Sequence, residues 1–155
     1  MDQKRLSGWM KLIILGCALC GAVLFLYFLP VWLLGMDGGA NAWPWVVCMW
    51  VAAIPCYGVL ACGWRIAREI GADNSFSAVN ARLLKIVSML SAGDACFLLL
   101  ASVALCLLNR PTPWVLPVIS AFVCFVGLAI SVAAACLSHL VLKAAKLQED
   151  SDLTI

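Results

Sequence analysis

The chain has 155 residues, of which 65% are hydrophobic and 12% are charged, with a formal net charge of +2. A soluble domain carries about 25% charged residues, and a water-soluble fold of this size could not bury so much apolar side chain. The small net charge gives no support for direct nucleic-acid binding. Composition therefore indicates a single domain that is solvated by lipid.

Four long apolar runs dominate the chain, at 12–34, 44–64, 86–108 and 114–142. A bilayer core needs roughly 20 apolar residues in helical form, whereas barrel strands would be about 10 residues long with alternating polarity. The runs therefore predict an all-α membrane protein, a four-transmembrane-helix bundle in one domain, 1–155. We expect helices at about 9–34, 44–70, 78–108 and 114–146, and a cytoplasmic tail at 147–155.

A cleaved signal sequence is the alternative for the first run, because a small-residue site stands at Ala40, Asn41 and Ala42. The apolar part of a signal sequence spans about 7–15 residues. The first run is longer, which favours a membrane helix.

The positive charges lie on one side of the predicted helices. The two outer loops hold only Arg110, while the other nine are Lys4, Arg5, Lys11, Arg65, Arg68, Arg82, Lys85, Lys143 and Lys146. Because cytoplasmic loops accumulate Lys and Arg, we predict that both termini are cytoplasmic.

Tryptophans, which prefer the headgroup level, fit this orientation. The basic-poor boundary holds Trp32, Trp43, Trp45 and Trp114, and the basic-rich boundary holds Trp9 and Trp64. Only Trp50 lies away from both boundaries.

The loop between helices two and three is predicted to be a tight turn. Gly71 can take the left-handed conformation that ends a helix. Ser77 is a good N-cap for helix three, accepting from the amide of Val79 or Asn80. In helix two, Pro55 predicts a packing kink, with a ligand-lined break as the alternative.

Small residues recur on one face of helix four, at Ser120, Gly127, Ser131, Ala134 and Ser138. Such stripes let membrane helices approach closely. The stripe predicts close packing inside the bundle or, as the alternative, a homodimer through Gly127 and Ser131. Substitution by leucine should disrupt packing in either case.

Asp94 is the acidic outlier, about 12 Å along the third apolar run at 1.5 Å per residue. Acidic groups at such depth cost about 2.5–3.5 kcal/mol on insertion scales. One interpretation is a proton- or cation-coupled site, and the other is a neutral or paired carboxyl group that joins helices. Lys11 and His139 lie in the same predicted membrane half, so the candidate intramembrane polar site comprises Asp94, His139 and Lys11.

No catalytic, metal or cofactor signature is present in the sequence. His139 has no acidic or histidine neighbour one helical turn away to form a metal pair. The nine cysteines are scattered over all depths, and even Cys17 and Cys20 lie inside an apolar helix, so they are interpreted as small hydrophobic residues. The sequence thus predicts a non-enzymatic protein.

The cytoplasmic turn and tail carry the candidate partner-docking residues. They are Asn74, Phe76, Asn80, Leu153, Thr154 and Ile155. An acidic segment followed by Leu-Thr-Ile can add to a partner as a short docking peptide, although a solvated, frayed end is the simpler interpretation.

Two motifs carry a family resemblance: the turn Asp73-Asn74-Ser75-Phe76-Ser77 with Asn80, and the ending Glu149-Asp150-Ser151-Asp152-Leu153-Thr154-Ile155. They resemble the bacterial family catalogued as domain of unknown function 2975, although Ser75 stands where that family has proline. The resemblance implies a four-helix inner-membrane protein, often encoded beside a small helix-turn-helix regulator. It implies no reaction.

Two functions remain open. The first is a regulatory or partner-binding membrane protein that acts at its cytoplasmic face on a cytosolic helix-turn-helix regulator. The alternative is a small oligomeric transporter or channel that uses Asp94. An enzyme is the least favoured class, because paired carboxylates and a Ser/His/Asp set are missing from the sequence pattern.

Overall fold

A computed structural model of the chain describes residues 3–36, 43–72, 77–108 and 115–152. Helix one comprises an α-helix Gln3–Val23, a π-helical turn Leu24–Phe28 and an α-helix Leu29–Met36. Helix two spans Trp43–Gly71, helix three Ala78–Leu108 and helix four Val115–Asp152. All four are long and apolar enough to cross a membrane, and the described ranges contain no strand, which confirms the predicted fold class.

The first and last helices extend beyond their apolar runs. Helix one begins at Gln3 rather than near residue 9, and helix four continues to Asp152 rather than ending at 146. The added segments 3–8 and 147–152 include Gln, Lys, Arg, Glu and Leu, which are strong helix formers. Most of the segment expected to be a tail is therefore helical.

Neighbouring helices run antiparallel, because contacts pair their residues in reverse order: 7 with 67 and 18 with 57, 56 with 94 and 58 with 90, and 131 with 88 and 138 with 81. The hydroxyl of Ser7 donates to the carbonyl of Ala67 at 2.6 Å, the thiol of Cys56 donates to Asp94, and the hydroxyl of Ser138 donates to the carbonyl of Ala81 at 2.7 Å. The described chain ends at Gln3, Ala72, Ser77 and Asp152 consequently lie at one end of the molecule. We call it the basic end, and it is the end predicted to be cytoplasmic.

The turn at the basic end has the predicted N-cap. The amide of Asn80 donates to the hydroxyl oxygen of Ser77 at 3.2 Å, which satisfies a free amide of the first helical turn. Gly71 has a different role from the predicted left-handed one, because it is the last helical residue of helix two. A Cβ atom at Gly71 would lie 2.7 Å from the hydroxyl oxygen of Ser7, so this glycine makes room for helix one.

Helix two binds helix one through aromatic donors. The indole nitrogen of Trp50 donates to the carbonyl oxygen of Phe25 at 3.0 Å, and the hydroxyl of Tyr57 donates to the carbonyl oxygen of Ala18 at 3.0 Å. Phe25 lies in the π-helical turn, whose i to i+5 bonding differs from that of the flanking α-helix. Trp50, the tryptophan outside the predicted boundary belts, thus has a backbone partner inside the protein.

Helices three and four form the closest contact, and the small-residue stripe of helix four mediates it. The hydroxyl of Ser131 donates to the carbonyl of Ser88 at 2.9 Å, and the thiol of Cys124 donates to the carbonyl of Ala95 at 3.3 Å. A Cβ atom at Gly127 would lie 3.4 Å from the Cβ atom of Ala95. The stripe is therefore used within one chain, in the contact between helices three and four.

The four helices form a row that is open on one side. Helix one packs on helix two, helix two on helix three and helix three on helix four, while in the described residues no Cα atoms within 8 Å join helix one to helix three or helix four. At the end opposite the basic end, a buried cluster joins helices one, two and four: Leu33, Trp45, Val46 and Leu116. Trp45 is therefore a core residue, since only 2% of its surface is exposed. Nearer the middle, the gap between helices one and four is a groove.

Candidate functional site

Asp94 lies near the midpoint of helix three and faces helix two. The thiol of Cys56 donates to its Oδ2 atom at 3.7 Å. Its Oδ1 atom is enclosed and has no hydrogen-bond partner among the described residues. A thiol is a weak donor, and an unpaired buried acceptor costs about 1–3 kcal/mol. The carboxyl group of Asp94 is thus poorly satisfied by the protein itself.

The groove beside Asp94 has a volume of about 360 Å³ and takes lining residues from all four helices. Helix one contributes Cys17, Gly21 and Phe25, and helix two contributes a stretch from Pro55 to Leu60. Small-molecule sites usually measure about 300–1,000 Å³ and are mostly apolar with a few polar groups. The groove fits this description, with Asp94 as its acidic group.

The local sequence explains why a groove forms at this depth. Ser91, Ala95 and Gly127 are small, so helices three and four approach closely and leave space on the side of helix one. Pro55 lies within a continuous helix two and its ring lines the groove. The proline is therefore part of the groove wall, and helix two continues through it without a break.

The structure does not bring the predicted polar trio together. The ammonium of Lys11 lies 6.0 Å from the ring centroid of Trp64, within cation–π range, and His139 is exposed on helix four. In the described part of the chain, no ion pair joins Asp94 to Lys11 or His139.

Depth along the helices explains the separation of the trio. Tyr57, which follows Cys56, is hydrogen bonded to Ala18, so Ala18 marks the level of Asp94 on helix one. Lys11 lies seven residues nearer the basic end, about 10 Å away. Gly127 packs near Asp94, and His139 lies twelve residues farther along helix four, about 18 Å away. A shared membrane half is therefore too coarse a criterion for contact.

Of the six predicted docking residues, the described part of the chain includes Asn80. Asn74, Phe76, Leu153, Thr154 and Ile155 lie outside the described residues. Asn80 is 2% exposed, because it belongs to the capped first turn of helix three. A buried side chain at this position serves the fold of the turn rather than an exposed docking surface.

The cysteines form no recognisable centre. All nine are free thiols, and two of them, Cys17 and Cys56, line the groove. Within the described ranges, no group of three His, Cys, Asp or Glu side chains could hold a metal ion.

The sequence pattern indicates Asp94 as a candidate site residue but not most of the residues that line the groove around it. No local sequence pattern predicts the π-helical turn at Leu24–Phe28 or the positions of Cys17 and Gly21 in the groove lining. The seven-residue spacing of Trp50 and Tyr57, which places both on one face of helix two, was the available signal for the helix-one contact.

An antiparallel row of four helices, each long and apolar enough to cross a membrane, is the architecture of a multi-pass membrane protein, and in this chain it holds a groove at mid-height beside Asp94. Residues 34–155 match the family model described as "Protein of unknown function (DUF2975)", and the chain belongs to this family. The match covers the end of helix one and all of helices two, three and four. No curated protein and no solved structure matches the chain.

Proposed function

We propose that this protein is a non-enzymatic bacterial inner-membrane protein that binds a small membrane-soluble ligand in the groove at Asp94. The observation that carries the proposal is a carboxyl group with an unpartnered oxygen beside a cavity of about 360 Å³. Ionisable groups inside membrane segments are costly and usually mark ligand or ion sites.

The position of the groove supports entry from the bilayer. Helices one and four form its two sides and do not pack together there. An apolar compound dissolved in the lipid can therefore enter laterally, without crossing either loop region. Binding by a transporter or by a sensor would use the same groove.

The lining chemistry favours binding over catalysis. Among the described residues, the lining includes one carboxyl group and no histidine or lysine. The group bonded to this carboxyl group is the Cys56 thiol, at 3.7 Å, whereas general acid–base catalysis most often uses histidine. Recognition of a ligand needs only the apolar wall and the single polar group.

A tryptophan at Cys17 should block the groove, because Cys17 lies in its wall on helix one. The test is saturable photolabelling by a hydrophobic diazirine probe in nanodiscs, with the labelled peptides mapped. We expect Cys17→Trp to remove the saturable labelling of helix three near Asp94. The matched control is Cys20→Trp, since Cys20 is also exposed on helix one but lies outside the lining. Equal saturable labelling of both variants and the unmodified chain would exclude ligand binding in the groove.

A second candidate function is partner binding at the basic end, and the length of helix four favours it. Helix four pairs with the start of helix three at Ser138 and continues to Asp152, about 21 Å farther at 1.5 Å per residue. Leu147 on this extension is 62% exposed. An extended helix with an exposed apolar residue can dock in a partner's groove. The partner that we propose is a cytosolic helix-turn-helix regulator.

Deletion of residues 148–155 should abolish this partner interaction. The measurement is co-purification of the chain with a helix-turn-helix regulator encoded beside it. Asp94→Asn is the control, because this change lies in mid-helix and should leave the interaction intact. Retention of the regulator by the truncated chain would contradict docking through the end of helix four.

A further inference from the structure

We propose that the ligand of the groove is a lipophilic monocation that donates a hydrogen bond, such as a protonated amine on a compact apolar body, with Asp94 as its counter-ion. The inference rests on the proposed function, since it names the class of ligand for that same groove. It follows from the charges of the lining, from the hydrogen bonds of the carboxyl group and from the size and depth of the cavity.

The charge of the lining favours a cation. Asp94 is the one formally charged residue among the lining residues of the groove in the described structure. Along the helices, at 1.5 Å per residue, Lys11 lies about 10 Å away, Lys85 and Arg65 each about 14 Å away, and His139 about 18 Å away. A carboxylate in an apolar site is stabilised by an opposite charge that arrives with the ligand. An anionic ligand would face repulsion with no compensating positive group.

The hydrogen bonds of the carboxyl group favour a donor. Its present donor is the Cys56 thiol at 3.7 Å, and its Oδ1 atom has no partner in the described part of the chain. Rotation about the last side-chain torsion of aspartate is soft, so either oxygen can turn towards the groove. A charged N–H group forms a much stronger bond than a thiol.

Aromatic rings in the lining add support for a cation. Phe25 and Tyr57 line the groove on the sides of helices one and two. The faces of such rings attract ammonium groups. The hydroxyl group of Tyr57 already donates to the carbonyl of Ala18, which fixes the ring in place.

The size of the cavity argues against a transmembrane helix as the occupant. A spanning helix is about 30 Å long and 10–12 Å wide, whereas the cavity measures about 360 Å³ and is confined to the middle of the bundle. Its depth also argues against the amine of a phospholipid headgroup, since headgroups lie at the membrane boundary. A free, compact amine fits both restrictions.

The test uses three probes with one apolar body: adamantylamine, adamantanol and adamantanecarboxylate. Binding to the full-length chain is measured by equilibrium dialysis in nanodiscs of phosphatidylcholine, whose headgroup has no net charge. We expect the amine to bind roughly tenfold or more tightly than the alcohol, and the carboxylate to bind most weakly. Asp94→Asn should remove the preference for the amine, and Asp94→Glu should retain it, with folding checked by circular dichroism.

Each other outcome has a definite meaning. Equal binding of the three probes, or a preference for the amine that persists in Asp94→Asn, would overturn the cation assignment. If binding of these probes is still lost in Cys17→Trp, ligand binding in the groove stands even though the cation assignment fails. The proposed function and the ligand class are therefore tested separately. Loss of amine binding on adding phosphatidylethanolamine would instead identify a lipid headgroup as the occupant and overturn the free-amine assignment.

Discussion

Replacement of Asp94 by leucine is expected to make the chain more resistant to unfolding, by about 1–3 kcal/mol. The carboxyl group has an enclosed oxygen without a partner among the described residues, and its one donor is a thiol at 3.7 Å. Removal of a poorly satisfied acceptor from an apolar site removes its desolvation cost. The measurement is the free energy of unfolding in mixed micelles with increasing denaturing detergent.

The control for this prediction is Cys96→Leu. Cys96 is exposed two positions further along helix three, so it reports any general effect of a larger apolar side chain. A gain that is specific to Asp94→Leu fits a functional site that is maintained at the expense of stability. A loss of stability would favour the other interpretation, in which the carboxyl group joins helices two and three.

Leucine at Ser131 is expected to destabilise the chain by about 2–4 kcal/mol, through overpacking and the loss of interhelical hydrogen bonds. Ser131 is 8% exposed, and its hydroxyl group lies 3.2 Å from that of Ser88 and donates to the carbonyl of Ser88 at 2.9 Å. A larger side chain would separate helices three and four where they pack most closely. The same unfolding assay in mixed micelles measures the effect.

Two variants separate the causes of this loss. Ser131→Ala removes the hydrogen bonds without adding volume, so it should cost about 1 kcal/mol. Val132→Leu adds volume at the neighbouring position, which is 63% exposed, and should be close to neutral. Equal stability of Ser131→Leu and Val132→Leu would show that the small-residue stripe mediates no tight contact.

The helices were predictable because the bilayer sets a simple rule, a continuous apolar run of sufficient length. The same rule misplaced the ends of helices one and four that lie at the basic end, because helix propensity extends a helix past its apolar run. The Ser77 cap was also predictable, since it depends on residues three apart. Gly71 was assigned the wrong role because its neighbour, Ser7, is 64 residues away in the sequence.

Of the groove and its lining, the sequence predicted one residue, Asp94. Asp94 is conspicuous in an apolar run, but its neighbours depend on helix register and on which helices meet. Lys11 and His139 were selected because they share a predicted membrane half with Asp94. The packing of helix two on helix three instead places Cys56 beside the carboxyl group and Pro55 in the same groove lining. The open side of the row is a tertiary property, because it depends on helix one packing on helix two rather than on helix four.

The bonds from Trp50 and Tyr57 to helix one also bear on how its sequence can vary. Both aromatic donors bind main-chain carbonyl groups, at Phe25 and Ala18, and every amino acid carries such a group. Side chains at 18 and 25 can therefore change without loss of these two bonds, provided that the backbone keeps its path. Phe25 lines the groove, so evolutionary drift at position 25 would alter the shape of one groove wall while helix one stays bonded to helix two, which offers a simple route to new ligand preferences.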